Sequence, residues 1–286
     1  MIRETYGNTS ILRWDNAAEL AGTITYERSH NRAYWEEQKL RYRSGQDRWL
    51  GFYNYDSLKH AIEHGWPEAM RKTEKFTVKL PRIKGIVRRK KRADFGDEVD
   101  IQAIYSGDLD TAWTTFERVQ TEKLGSDNIT VLVNLSTSCN VDAGNAFWKG
   151  AAACVLVDNL VRMGKSVEVI AFDMGHTVCR GYNNINLVPV KDFEYPMDRE
   201  HMHAILSPGF HRGFLFKAII KSADMWGKDV ASNLGFPETP DKKLLNHIFP
   251  NRRVIVVPMN IESSSACEYY LKSTVTSLLI GEDEDG

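Results

Sequence analysis

Residues Ile129, Thr130, Val131, Leu132 and Val133 form an almost unbroken, β-branched apolar run that stops at the polar stretch Asn134, Leu135, Ser136, Thr137, Ser138. A run without polar alternation predicts a strand buried on both faces. Small and apolar residues then fill 142–163, among them Ala151, Ala152, Ala153, Val155, Leu156 and Leu160, with Gly164 at the end. They predict a long helix that lies close on a sheet and stops at the glycine. The same pattern predicts strands at 166–172, 185–190 and 253–258, and helices at 212–225 and 263–279. Upstream it predicts a strand at 99–105 and a helix starting at Asp108 or Asp110 and carrying Trp113 and Phe116. Alternation of this kind implies an α/β fold with a mostly parallel, doubly wound sheet covered by helices on both faces.

The first 93 residues follow a different pattern. Trp14, Tyr26, Tyr34, Trp35, Tyr42 and Trp49 interleave with Arg28, Arg32, Arg41, Arg43 and Arg48 without a clean period. Asp56 predicts the cap of a short helix at 57–64 that Gly65 ends, and Pro67 opens a second one. Residues 81–92 read as a linker or exposed strand carrying Arg82, Lys84, Arg88, Arg89, Lys90, Lys91 and Arg92, followed by the acidic patch Asp94, Asp97, Glu98, Asp100. The expected organisation is therefore a basic, aromatic-rich N-terminal α+β region at 1–93, an α/β domain at 94–280 and an acidic tail at 281–286.

Charge sharpens this division. The formal net charge is −1, but residues 1–93 hold 20 Lys or Arg against 11 Asp or Glu, and residues 94–286 hold 17 against 27. A basic part beside an acidic one points to contact of the former with a polyanion. With 286 residues and 42% hydrophobic content, one large domain with additions or two modest domains can each bury a core. No apolar run reaches the roughly 20 residues of a membrane helix, and the start has no secretory apolar segment, so a soluble, cytoplasmic protein without a membrane partner is expected. Cys139, Cys154, Cys179 and Cys267 are far apart, without a C-x-x-C pair, which argues for reduced, mostly buried thiols and against a zinc knuckle.

In a doubly wound sheet, ligands collect beyond the carboxyl ends of the strands. Three such loops carry candidate chemistry: Asn134, Ser136 and Ser138 after the first apolar strand, Ser207 before the helix with Phe214, Leu215, Ala218 and Ile219, and Asn260 after the strand at 253–258. In this order the loops resemble those of the von Willebrand factor A family. There the first strand ends in Asp-x-Ser-x-Ser, the second loop offers a Thr, and the third strand ends in Asp-Gly. The resemblance covers residues 126–280 and implies a von Willebrand factor A-like sheet. It implies a degenerate metal-ion-dependent adhesion site, because amides stand at Asn134 and Asn260 where carboxylates are expected. An uncharged oxygen set holds a dication weakly, so no cofactor is expected beyond weak Mg or Mn on Ser136, Ser138 and Ser207. The resemblance also makes Asn134, Ser136, Ser138, Ser207 and Asn260 candidates for docking a partner protein. Equally, Ser136 and Ser138 would serve simply to cap the helix that begins near Asp142.

Other chemistry finds less support. Gly164, Lys165 and Ser166 imitate the end of a phosphate-binding loop, but residue 159 is Asn, and the triplet follows a helix and precedes a strand, the reverse of the required order. His176, His201, His203 and His211 match no zinc spacing, and His201 and His203 read as polar loop or helix-end residues. No nucleophile elbow is present, so the expectation is a protein that is not an enzyme. The basic run suits a phosphate backbone, with Tyr34, Trp35 and Trp49 as candidates to stack on unpaired bases; solvated cations and a small aromatic core explain the same residues equally well. Glu282, Asp283, Glu284 and Asp285 resemble in charge the acidic tails of phage and bacterial single-stranded DNA-binding proteins, although Gly286 departs from their apolar last residue. Together these features look like those of phage accessory proteins that bind single-stranded DNA and assist a phage or host polymerase or replication protein. The alternative is an interaction module that binds no nucleic acid.

Overall fold

The computed structural model describes residues 1–23, 51–52, 55–76, 87–93, 98–108, 111–119, 128–138, 141–177, 182–215 and 236–283. In chain order the elements are β1 (Ile2–Tyr6), β2 (Thr9–Arg13), α1 (Ala17–Thr23), α2 (Tyr55–His64), α3 (Pro67–Glu74), β3 (Val87–Ala93), β4 (Glu98–Val99), α4 (Ile101–Tyr105), β5 (Trp113–Val119) and β6 (Asn128–Asn134). They continue with α5 (Ala143–Arg162), β7 (Ser166–Thr177), β8 (Tyr182–Lys191), α6 (Arg199–Ile205), the short α7 (Pro208–Phe210) running into a π-helical turn at His211–Leu215, β9 (Phe236–Pro237), α8 (Lys242–Ile248), β10 (Arg253–Val257) and α9 (Ser264–Asp283).

The main sheet runs β1-β2-β8-β7-β6-β10, and β9 adds to β7. Its α/β character agrees with the apolar pattern, but the pairing is mixed. β2 with β8, β7 with β6 and β6 with β10 are parallel, whereas β1 with β2, β7 with β8 and β9 with β7 are antiparallel. The strands expected at 166–172 and 185–190 both extend inward, which leaves residues 178–181 to join them. A connection that short closes a hairpin and cannot hold the helix that a parallel crossover needs.

Strands β6 and β7 show why their apolar runs are continuous. Ile129, Val131, Val133, Val167, Val169 and Ala171 face one core, with Leu156 and Leu160 of α5 and Leu271 and Val275 of α9. Leu132, Ile170, Phe172 and Met174 face a second core with Leu244 and Ile248 of α8. Period-two alternation here sorts side chains between two cores instead of between core and water.

Several elements correct the sequence expectations. The strand expected at 99–105 stops at Val99: Asp100 Oδ1 accepts from the backbone N–H groups of Gln102 (3.1 Å) and Ala103 (3.3 Å), and that cap starts α4. The helix expected through Trp113 and Phe116 is strand β5, rich in β-branched and aromatic residues, which pairs with β3 and β4 in a separate three-stranded sheet. Ser136 and Ser138 do not cap α5; Asp142 does, accepting from the Gly144 N–H at 2.6 Å. Gly164, at φ 79°, ends that helix's last turn as expected. Of the helix expected at 212–225, residues 211–215 are π-helical and the rest lies outside the described residues. The last helix runs on through Glu282 and Asp283, into the segment expected as a tail, while Glu284 and Asp285 lie outside the described residues.

The boundary expected near residue 94 does not divide the main sheet or its core. β2 hydrogen-bonds along β8 from Thr9↔Asn183 to Arg13↔Leu187, and Trp14, Leu20, Phe52 and Leu58 lie in the same core cluster as Val131 and Leu156. Among the described residues no helix is long and apolar enough to cross a membrane.

Candidate functional site

The polar end of β6 leads into a buried ionic cluster. Asn134 and Ser136 are buried, Thr137 is half-buried and Ser138 is exposed. The Asn134 side-chain oxygen accepts from the Ser136 N–H at 2.9 Å, folding the chain back on itself just past the strand. Its amide nitrogen donates to the Glu238 carbonyl, 3.3 Å away. The Ser136 hydroxyl donates to Asp173 Oδ1, from the neighbouring strand β7. His211 Nε2 lies 3.1 Å from the same oxygen, and since an ionised carboxylate only accepts, the ring presents Nε2–H to it.

Two buried cations complete the cluster. Lys149, on the second turn of α5 and 2% exposed, donates from Nζ to the Ser136 carbonyl (2.8 Å) and the Thr137 hydroxyl (2.7 Å). Arg212, also 2% exposed, donates to the carbonyls of Ser138 (2.9 Å) and Val141 (2.7 Å). Burial pushes the Lys149 ammonium down to about 7, against the pull of Asp173, with Arg212 adding to the depression and Glu262 opposing it. Burial acts to raise Asp173, yet the hydrogen bond and charge of His211, the Ser136 hydroxyl and Lys149 together hold it below the ordinary carboxylate value. Asp173 thus brings a carboxylate from the next strand to the Ser136 hydroxyl and His211, while Lys149 and Arg212 hold oxygens of the adjoining loop.

The other expected site residues are dispersed. Ser207 is buried and caps α7, its Oγ accepting from the Phe210 N–H at 3.0 Å. Asn260 is exposed in the turn after β10. Tyr34, Trp35, Trp49, Arg82 and Lys84 lie outside the described residues. Arg88, Arg89, Lys90, Lys91 and Arg92 lie on β3, at an edge of the three-stranded sheet. The register with β5 pairs Arg88 with Arg118, Lys90 with Phe116 and Arg92 with Thr114, which places Arg88, Lys90, Arg92, Phe116 and Arg118 on one face.

The histidines also separate. His201 is on α6, with Nδ1 2.7 Å from Asp198, but His203 is buried, not on a polar surface. His203 stacks on Phe147 at 5.9 Å and lies 3.7 Å from the Cys154 sulfur; burial, with Arg199 nearby, pushes it down to about 4. Among the described residues no group of three or more His, Cys, Asp or Glu is placed to hold a metal ion. Cys154 and Cys267 are buried free thiols, and burial raises both.

Lys149, Asp173 and Arg212 were not among the residues expected from sequence. Two of them carry a visible signal: each is a lone charge inside an apolar stretch, Asp173 after Ile170-Ala171-Phe172 and Lys149 before Gly150-Ala151-Ala152. Such a charge is buried only with partners, and the partners come from elsewhere in the chain.

Residues 4–277 match the model of a family described as Domain of unknown function (DUF7192). The chain belongs to this family. No curated protein and no solved structure matches it. The family's span runs from within β1 to within α9, so it takes in both sheets and the ionic cluster.

Proposed function

We propose that this member of the family is a nonenzymatic protein that binds single-stranded nucleic acid, with the three-stranded sheet as its contact surface. The observation that carries the reading is the β3–β5 register, which puts the positions of Arg88, Lys90, Arg92, Phe116 and Arg118 on one face of the paired strands. Cations spaced along two paired strands match a phosphate backbone, and an aromatic residue among them offers a stacking platform for any base. Supporting transcription or replication remains the expected role of such binding.

We further infer that the main sheet is von Willebrand factor A-like. β6, which ends at Asn134, and β10, which leads to Asn260, are parallel neighbours, so their loops fall side by side at one edge. Docking of a partner there is the weaker reading, because Asn134, Ser136 and Ser207 are buried and leave Ser138 and Asn260 as the exposed positions.

Fluorescence anisotropy of labelled single-stranded and duplex oligonucleotides, titrated with the full chain across a salt series, tests the first reading. The expected result is preference for the single strand and an affinity that falls steeply with salt. Binding that is absent at low micromolar protein, or insensitive to salt, rejects it.

A further inference from the structure

A cleft of about 330 Å3 opens between α3, α5 and α6, beside the second half of α5 and apart from the ionic cluster. Its walls are helix faces: Cys154, Val155, Asp158, Asn159 and Arg162 follow the helical period on α5, and Arg199 and His203 stand one turn apart on α6. Clefts between helices at this size are small-molecule sites, whose range begins at about 300 Å3. The apolar lining is soft and comes from all sides, with Met70 and Phe76 from α3 and its end, Val155 from α5 and Met197 from the segment entering α6. Thioether and aromatic groups pack well against a flat ring. Two polar side chains direct its edge. His203 is buried with one ring face on Phe147, and its Nδ1 lies 3.7 Å from the Cys154 sulfur. Burial keeps that thiol protonated and the imidazole neutral above about 4, so the thiol donates to Nδ1 and the ring carries its proton on Nε2. Asn159 donates from Nδ2 to the Val155 carbonyl at 2.6 Å, which leaves its Oδ1 to accept. The charges of the lining cancel: Arg162 and Arg199 both hold Asp158, and Glu74 stands exposed.

We propose that this cleft binds an uncharged purine-type heterocycle, as free base or nucleoside, with His203 Nε2–H donating to a ring nitrogen and Asn159 Oδ1 accepting from an N–H at the ring's edge. The ring's faces lie against the methionines, Phe76 and Val155. A hydrocarbon ring of the same size would leave both polar groups unpaired. An anionic ligand would have to compete with Asp158 for both arginines. The site is separate from the basic face of the three-stranded sheet and does not depend on it.

The test is calorimetry and saturation-transfer NMR on the full chain, with adenine, adenosine, adenosine monophosphate and indole as probes. Adenine and adenosine are expected to bind with a dissociation constant on the order of 100 µM or tighter. Indole matches the ring size but lacks a ring-nitrogen acceptor, and is expected to bind about tenfold more weakly. The monophosphate is expected to bind no tighter than adenosine. His203→Phe keeps a ring on Phe147 without Nε2–H, and Asn159→Leu keeps the volume without the acceptor; each is expected to lose about tenfold in adenine affinity while retaining the wild-type circular dichroism. Replacing Arg88 and Arg92 together with Ala is expected to leave adenine binding unchanged. Should a cleft variant fail to fold, the comparison of adenine with indole on the wild type decides. No adenine or adenosine binding at millimolar concentration, indole binding as tight as adenine, or a monophosphate preferred over adenosine overturns the proposal. So does full affinity in folded His203→Phe and Asn159→Leu, or affinity lost with Arg88 and Arg92.

Discussion

Lys149 is the residue at which sequence and environment disagree most, and its cost is measurable. Its pKa is depressed from 10.5 to about 7 in the fold, so between these values the unfolded chain binds more protons than the folded one. Stability contributed through this group therefore rises with pH from about 7 to 10.5, with a slope of at most about 1.4 kcal/mol per pH unit. Below that window the full cost of a buried ammonium is present. Urea unfolding at several pH values is expected to show this rise in the wild type and its loss in Lys149→Met. His203 acts in an adjacent window: depressed from 6.5 to about 4, it takes stability away as pH falls between those values. His203→Phe is expected to flatten the acid limb of the same unfolding series. In both cases the side chain is visible in the sequence, but its titration is not, because burial and the charges nearby set it.

At the scale of elements, α5 depends on a close approach that its small residues permit. A Cβ built on Gly150 would stand 2.6 Å from the Leu206 carbonyl oxygen, a backbone atom that cannot swing aside. Gly150→Ala is expected to destabilise the fold by about 1–3 kcal/mol, read from the midpoint of denaturant unfolding, despite alanine's better helix propensity. The small residues of 142–163 announced this helix and its closeness to a sheet, while Leu206, the neighbour it meets, lies beyond any local pattern. Strand β5 taught the opposite lesson: Trp113, Thr114, Thr115 and Phe116 suit either period over so short a run, and pairing with β3 decided the outcome. That pairing also sets the next expectation. Replacing both Arg88 and Arg92 with Ala is expected to weaken single-strand binding and to reduce the salt slope by about two, which anisotropy across salt measures directly.

For the whole molecule, the decisive feature is that the N-terminal hairpin belongs to the main sheet. β2 covers the edge of β8, and Trp14 follows it into the core, its indole nitrogen 3.4 Å from Asn186. Deleting residues 1–14 is expected to expose β8 as an unpaired edge and to give an aggregating or unfolded chain, which size-exclusion chromatography and circular dichroism distinguish from a trimmed but intact domain. The α/β class, the apolar strands β6 and β10, the long helix α5 and its glycine stop are legible in the sequence, because each is written in residues a few positions apart. Tertiary structure alone decided the antiparallel β7–β8 pair, the joining of β1 and β2 to the sheet, and the assembly of Ser136, Lys149, Asp173, His211 and Arg212 into one cluster. Those outcomes depend on contacts between residues tens of positions apart, whose burial and pairing no local period encodes.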